Sequence, residues 1–193
     1  MRMKRREAPS VNETRFNEVF AAYHDEIWRY AMRRCTYDDA INIVSDTFLT
    51  AWRRVQDIPA GDNARLWLYK VAGHCAANQQ RGQRRYLRLV SRLADNSPPV
   101  NTTEAEGVAP DHRELRLALA QLSRSDQELL RLLTWEELSH EQVATVLGIS
   151  ANAVALRARR ARRNLRSKLD DQRHPQGRTG HVGLALEVRD DER

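Results

Sequence analysis

From residue 16 onward, apolar side chains recur at steps of three and four, in two blocks parted by one aperiodic stretch. That spacing marks faces of amphipathic helices and leaves little room for a sheet. Phe16, Val19, Phe20, Tyr23, Ile27 and Tyr30 form one such face, and Ile41, Val44, Phe48, Ala51, Trp52 and Val55 a second. Leu68, Val71, Ala72 and Cys75 line a third helix that fades between Gln79 and Arg85. Asp38 reads as the cap of the second helix, and the turn Pro59-Ala60-Gly61-Asp62 precedes the third, with Asp62 as its cap. Leu184, Leu186 and Val188 alternate near the C-terminus, but three residues do not make a strand. With Gly 8 and Pro 6 in 193 residues, a loop-dominated β architecture is disfavoured.

Residues 94–111 break the pattern. The stretch carries Pro98-Pro99 and the acids Asp95, Glu104, Glu106 and Asp111, between flanks rich in arginine. It reads as a flexible acidic linker. The expected fold is therefore all-α: two small helical domains, at 13–93 and 112–170, with a disordered basic N-terminus over 1–12 and a disordered tail over 171–193. The chain carries a formal charge of +6, which favours a polyanionic partner. It has no apolar run near the roughly 20 residues that span a bilayer, and no apolar segment follows the basic Met1–Arg6 as a secretory signal would require. Membrane insertion is not expected. Two cysteines, Cys35 and Cys75, read as reduced cytoplasmic thiols.

The second block carries the sharper chemistry. Ser139-His140-Glu141-Gln142 has the form of a capping box opening a short helix that ends at Leu147. Ser125-Asp126-Gln127-Glu128 reads as another. Gly148-Ile149-Ser150 makes a tight turn, and a longer helix follows from Ala151, capped by Ser150. This is a helix-turn-helix pattern, whose second helix can enter a major groove. At 100° per residue, Val154, Ala158, Ala161, Leu165 and Leu169 face the core, and Asn152, Leu156, Arg159, Arg160 and Arg163 face outward. From Gln142 to Leu169 there is no acid. Arginines on such a face suit phosphates, Asn152 suits an adenine edge, and exposed Leu156 suits a thymine methyl. Ser150 and Arg157 complete the expected DNA-contacting set.

At this point the N-terminal block is recognisable too. Asp38-Asp39-Ala40-Ile41-Asn42-Ile43-Val44-Ser45-Asp46-Thr47-Phe48-Leu49-Thr50-Ala51-Trp52-Arg53 resembles the polymerase-binding helix of bacterial RNA polymerase sigma factors. Leu66-Trp67-Leu68-Tyr69-Lys70-Val71-Ala72 resembles their promoter-recognition helix, and Leu138–Ala144 through Arg160-Ala161-Arg162 their second DNA-binding domain. A short chain with these two domains is similar to the extracytoplasmic-function (ECF) group. The resemblance implies a transcription initiation factor that binds core RNA polymerase and promoter DNA, uses no cofactor or metal, and is not itself an enzyme. Many relatives are restrained by an anti-sigma partner, which joins the candidate partners.

The resemblance assigns −10 recognition and melting to the first domain and −35 recognition to the second. Asn63, Lys70, His74, Asn78 and Arg81 would hold the −10 strand, and the loop Gln56–Asp62 would select a base. With Ile41, Val44, Phe48 and Trp52 inward, Asn42, Ser45, Asp46, Leu49 and Arg53 point outward as the polymerase-docking face. Two positions depart from the family. Ser45-Asp46 stands where a Gln-Glu pair is usual, and Gly73-His74 where Arg-Asn is frequent. His74 beside Cys75 lacks the four-ligand spacing of a zinc site. Two other readings stay open: a free-standing helix-turn-helix regulator, and a polymerase-binding protein without promoter reading.

Overall fold

The computed structural model of the chain describes residues 10–93 and 110–173. The connector 94–109 and the Leu184–Val188 alternation lie outside the described residues. Among those described there are helices and no strands. They are α1 (Val11–Met32), α2 (Tyr37–Arg53), a 3-10 turn (Val55–Asp57), α3 (Asn63–Leu93), α4 (Pro110–Ala120), α5 (Arg124–Thr134), α6 (His140–Leu147) and α7 (Ala151–Arg173).

In the first domain α1, α2 and α3 pack pairwise around Ile27, Tyr30, Ile43, Thr47, Phe48, Leu68 and Tyr69. The inward face of α2 differs from the expected one. Ala40, Ile43, Val44, Thr47, Phe48 and Ala51 are buried, while Ile41 and Trp52 are 42% and 43% exposed. Thr47 is tolerated there because its hydroxyl donates to the Ile43 carbonyl at 2.6 Å, so no polar atom is left unpaired. The loop after α2 is tied down at both ends: Gln56 bonds Asn12, and the Ile58 carbonyl accepts from Arg15.

Caps decide several boundaries. Ser10 and Glu13 form a reciprocal capping box, so α1 starts at Val11, inside the stretch expected to be unstructured. Thr36, not Asp38, caps α2 by accepting from the Asp39 amide, and Ser123, not Ser125, caps α5 through the Asp126 amide. α3 runs without fading to Leu93, and α7 continues past residue 170, to Arg173 among the described residues.

In the second domain α4, α5 and α6 pack on α7 around Leu129, Leu132, Val143, Val154, Ala158 and Ala161. The Ser139–Gln142 capping box is present. Gly148 ends α6 in the left-handed region at φ 67°, and the Ile149 amide reaches back to the Ala144 carbonyl at 3.1 Å. Ser150 accepts from the Ala153 amide at 3.2 Å and so caps α7. No neighbour lies within 4 Å of where a Gly148 Cβ would stand, so only the backbone strain of a side chain in this region acts. Gly148→Ala is expected to lower stability by about 1–2 kcal/mol, read as a shift in the urea midpoint at unchanged slope.

The two domains also touch, α3 lying against α6. Beside that contact, Tyr30, Arg33 and Arg34 at the end of α1 bond Glu128 and Glu136 of the second domain.

Candidate functional site

The outer face of α7 is built as the periodicity demands. Val154, Ala158 and Ala161 are buried. Ser150, Asn152, Leu156, Arg159, Arg160 and Arg163 are exposed. Leu156 is the informative side chain: it is 63% exposed, an aliphatic group on the solvent face of the helix. Arg157 departs from this set. It is half-buried and turns back on its own domain, 3.5 Å from Asp126 at the start of α5. Its guanidinium braces α7 on α5 rather than facing outward.

In α3, Asn63, Lys70, His74, Asn78 and Arg81 are all exposed, and spacings of three and four place His74, Asn78 and Arg81 on one stripe. The Asn78 amide oxygen accepts from Arg81, which holds both side chains along the helix surface. Tyr69 is fully buried, with its hydroxyl on Glu26; burial, then that carboxylate, pushes its pKa upward. Trp67 is half-buried against the core, its ring facing Arg54 at 5.9 Å. Gly73 has a packing reason: a Cβ there would sit 3.2 Å from the Tyr30 hydroxyl.

On α2, Asn42, Ser45, Asp46, Leu49 and Arg53 are exposed. Sequence reasoning missed Ile41 and Trp52 beside them. With Leu49, 46% exposed, and Phe20, 39% exposed, they make the face more apolar than expected. The spacing 41, 45, 49, 52 could have signalled a second stripe, had the first not been assumed to face inward. Exposed aromatic and aliphatic side chains clustered on one helix are typical of a protein-docking surface.

Burial raises the pKa of the Cys35 thiol to about 11 and moves that of Cys75 upward too. Among the described residues no three His, Cys, Asp or Glu side chains gather as a metal site would need, and no helix is long and apolar enough to cross a membrane.

An exposed face of mixed apolar and polar side chains on α2, an amide-and-base stripe on α3 and a basic helix-turn-helix, carried on two helical domains, fit a sigma-type initiation factor. Residues 19–94 match Sigma-70 region 2, and residues 112–165 match Sigma-70 region 4. Over 162 residues the chain is 33% identical to the ECF RNA polymerase sigma factor SigL of Mycobacterium tuberculosis, covering 79% of this chain and 90% of that one. It is 27% identical to the RNA polymerase sigma factor YlaC of Bacillus subtilis, covering 81% and 92%. The chain belongs to the ECF RNA polymerase sigma factors, and it is a transcription initiation factor that recognises promoter elements. Its fold is similar to that of the sigma factor RpoE bound to the anti-sigma factor NepR from Bartonella quintana, with TM-score 0.62 at 22% identity, covering 80% of this chain and 96% of that one. It is also similar to CnrH bound to the cytosolic domain of CnrY, with TM-score 0.57 at 24% identity, covering 80% and 87%.

Proposed function

We propose that the chain divides promoter recognition between its domains while docked on core RNA polymerase through α2. The α7 face of Asn152, Leu156, Arg159, Arg160 and Arg163, with Ser150, reads the −35 element in the major groove. The α3 stripe of Asn63, Lys70, His74, Asn78 and Arg81 follows the −10 strand once it is displaced. Asn42, Ser45, Asp46, Leu49 and Arg53, joined by Ile41 and Trp52, form the docking face. Bond-making chemistry stays with the polymerase, and the chain works in the cytoplasm. The similar fold of RpoE, solved in complex with the anti-sigma factor NepR, makes an anti-sigma protein a candidate partner.

The observation that carries this reading is Leu156: an aliphatic side chain in water, on a helix face otherwise of arginines and an amide, behind a helix-turn-helix. Arginines alone would suit any polyanion; an apolar tip among them suits a groove that presents methyl groups. The test is run-off transcription with purified core polymerase on genomic fragments, with and without the chain. New start sites support the proposal. Core association without new starts leaves a polymerase-binding protein that does not read promoters, and a duplex footprint without core association leaves a free-standing regulator.

The arginines make a separate expectation. Phosphate contacts release counterions, so each one adds about 0.9 to the slope of log affinity against log salt. Arg160→Gln is expected to flatten that slope by about this amount, equally on matched and mismatched upstream sequences. Anisotropy titrations of the holoenzyme across a salt series read it directly.

A further inference from the structure

We propose that the cleft between α3 and the α4–α5 turn binds a nucleoside polyphosphate, with the phosphate chain on the arginines at one end and the nucleoside over the small residues at the other.

The cleft encloses about 640 Å³, within the range of sites that take small organic ligands. It follows α3 from Gly73 to Arg84, about 16 Å at 1.5 Å per residue. A single phosphate fills little of that length. The charge is one-sided. Arg34, Arg81, Arg84, Arg124 and Arg131 line the cleft, and Glu128 is the one acid among its lining residues. A recess lined by one sign of charge concentrates ions of the other.

Glu128 is already engaged. It accepts from the Tyr30 hydroxyl at 2.8 Å, and from Nε and Nη2 of Arg34 at 2.8 and 3.0 Å. It therefore answers Arg34 and leaves the other four arginines. Three of these donate to neutral amides: Arg81 to Asn78, Arg124 to Gln80, and Arg131 to Gln127 at 3.3 Å. Arg84 and Arg124, on opposite walls, repel each other. Burial, and then Arg84, lowers the Arg124 pKa; burial, and then Arg34, lowers that of Arg131. Guanidiniums that hold their protons less tightly than usual are short of counter-charge, and an anion between the walls supplies it.

Arg131 carries a second mark. Its Nε is buried without a hydrogen-bond partner, although buried donors are nearly always paired. Gln127 and the Trp135 ring, 5.7 Å from the guanidinium, hold the side chain in place. An acceptor has to come to it from the cleft.

The two ends suit different parts of one ligand. Arg81, Arg84 and Arg124 offer the forked donors that bond phosphate oxygens in pairs. Toward the other end Gly73, Ala76 and Ala77 make a floor of small residues, and Leu122 stands on the far wall. A base and ribose fill such a space and bring neutral acceptors to the Arg131 Nε. Gly73 keeps the floor open. Even a Cβ there would stand 3.2 Å from the Tyr30 hydroxyl, and a longer side chain would occupy the nucleoside end. The departure from the family at this position thus has a use. Arg81 alone is shared with the stripe assigned above to the −10 strand, so the test turns on other arginines.

Calorimetric titration of the full chain with ATP at physiological salt tests the site. ATP is expected to bind one-to-one, and Arg124→Gln and Arg84→Gln each to weaken it about tenfold or more, the effect of losing a charged hydrogen bond. Both side chains are exposed, and circular dichroism is expected to show unchanged helicity. Should Arg124→Gln cost helicity, Arg84→Gln carries the comparison. Arg166→Gln, on the exposed side of α7, is expected to bind ATP as wild type does. Inorganic triphosphate, which leaves the floor empty, is expected to bind about tenfold more weakly than ATP. Absence of ATP binding overturns the site, and so does an equal loss in Arg166→Gln, which would mean general attraction to a basic surface. Triphosphate binding as tight as ATP overturns the nucleoside assignment. A single-stranded oligonucleotide that outcompetes ATP, with the same dependence on Arg84 and Arg124, gives the cleft to nucleic acid and overturns it for a small ligand. Neither polymerase nor promoter enters these titrations, so they decide the cleft independently of the function proposed above.

Discussion

A chain carrying Leu156→Glu is expected to lose upstream-element recognition and still join core polymerase as tightly as wild type. The side chain is 63% exposed, and the core of its domain turns on Val154, Ala158 and Ala161 on the opposite side of α7. The fold therefore feels the change by no more than about 0.5 kcal/mol. In the groove the effect is large. An apolar contact with a base is replaced by a carboxylate that meets acceptor atoms and the phosphate field. One lost base contact costs about 1–3 kcal/mol, and repulsion adds to it, so a loss of at least tenfold in upstream discrimination is expected. Footprinting of the reconstituted holoenzyme measures it, with thermal melting and core pull-down as controls. Unchanged promoter choice would mean that another face of α7 enters the groove.

What could be read from the residues was what neighbours in sequence decide. Gly148, the Ser139–Gln142 box and the Val154-Ala158-Ala161 stripe are local, and the second domain follows from them. Caps were legible as a residue type but not as a position. Thr36 and Asp38 can both cap, as can Ser123 and Ser125, and the choice falls to whichever fits the packed helix. α2 was misread for a deeper reason. Periodicity records that a side chain avoids water, not whether it does so against its own core or against another protein. Periodicity places Ile41 and Trp52 in the core on that ground, whereas Ala40 and Thr47 fill the interior beside Ala51. Gly73 stands out in the sequence only as a departure from the family; its packing reason is the Tyr30 hydroxyl, 3.2 Å from where a Cβ would sit. The ion network could not be read at all. Arg34 and Glu128 are 94 residues apart and Arg34 and Glu136 102, and a pairing across domains leaves no period in either. In the sequence Arg33 and Arg34 lie between two helical stripes and point to no partner.

The misread face is also where the other large effect lies. Leu49→Asp is expected to weaken association with core polymerase by tenfold or more and to abolish run-off at limiting core. Leu49 is 46% exposed and sits among Ile41, Trp52, Ser45 and Asp46. An aliphatic side chain at the centre of such a patch is dehydrated on docking, and truncating an anchor of this kind costs about 2 kcal/mol. A buried unpaired carboxylate costs more than truncation, because its own hydration is lost as well. The free chain should be indifferent: Leu49 faces away from the core, so melting temperature and radius of gyration are expected to match wild type. Ser45→Gln with Asp46→Glu gives the opposite sign. These changes restore the longer side chains usual in the family and extend the reach of both polar groups toward the partner. An affinity gain of up to about 1 kcal/mol is expected, the value of one added hydrogen bond. Titration of labelled core with each variant separates the cases. A weak Leu49 effect alongside a strong Trp52→Ala effect would move the centre of the footprint one turn toward the end of α2.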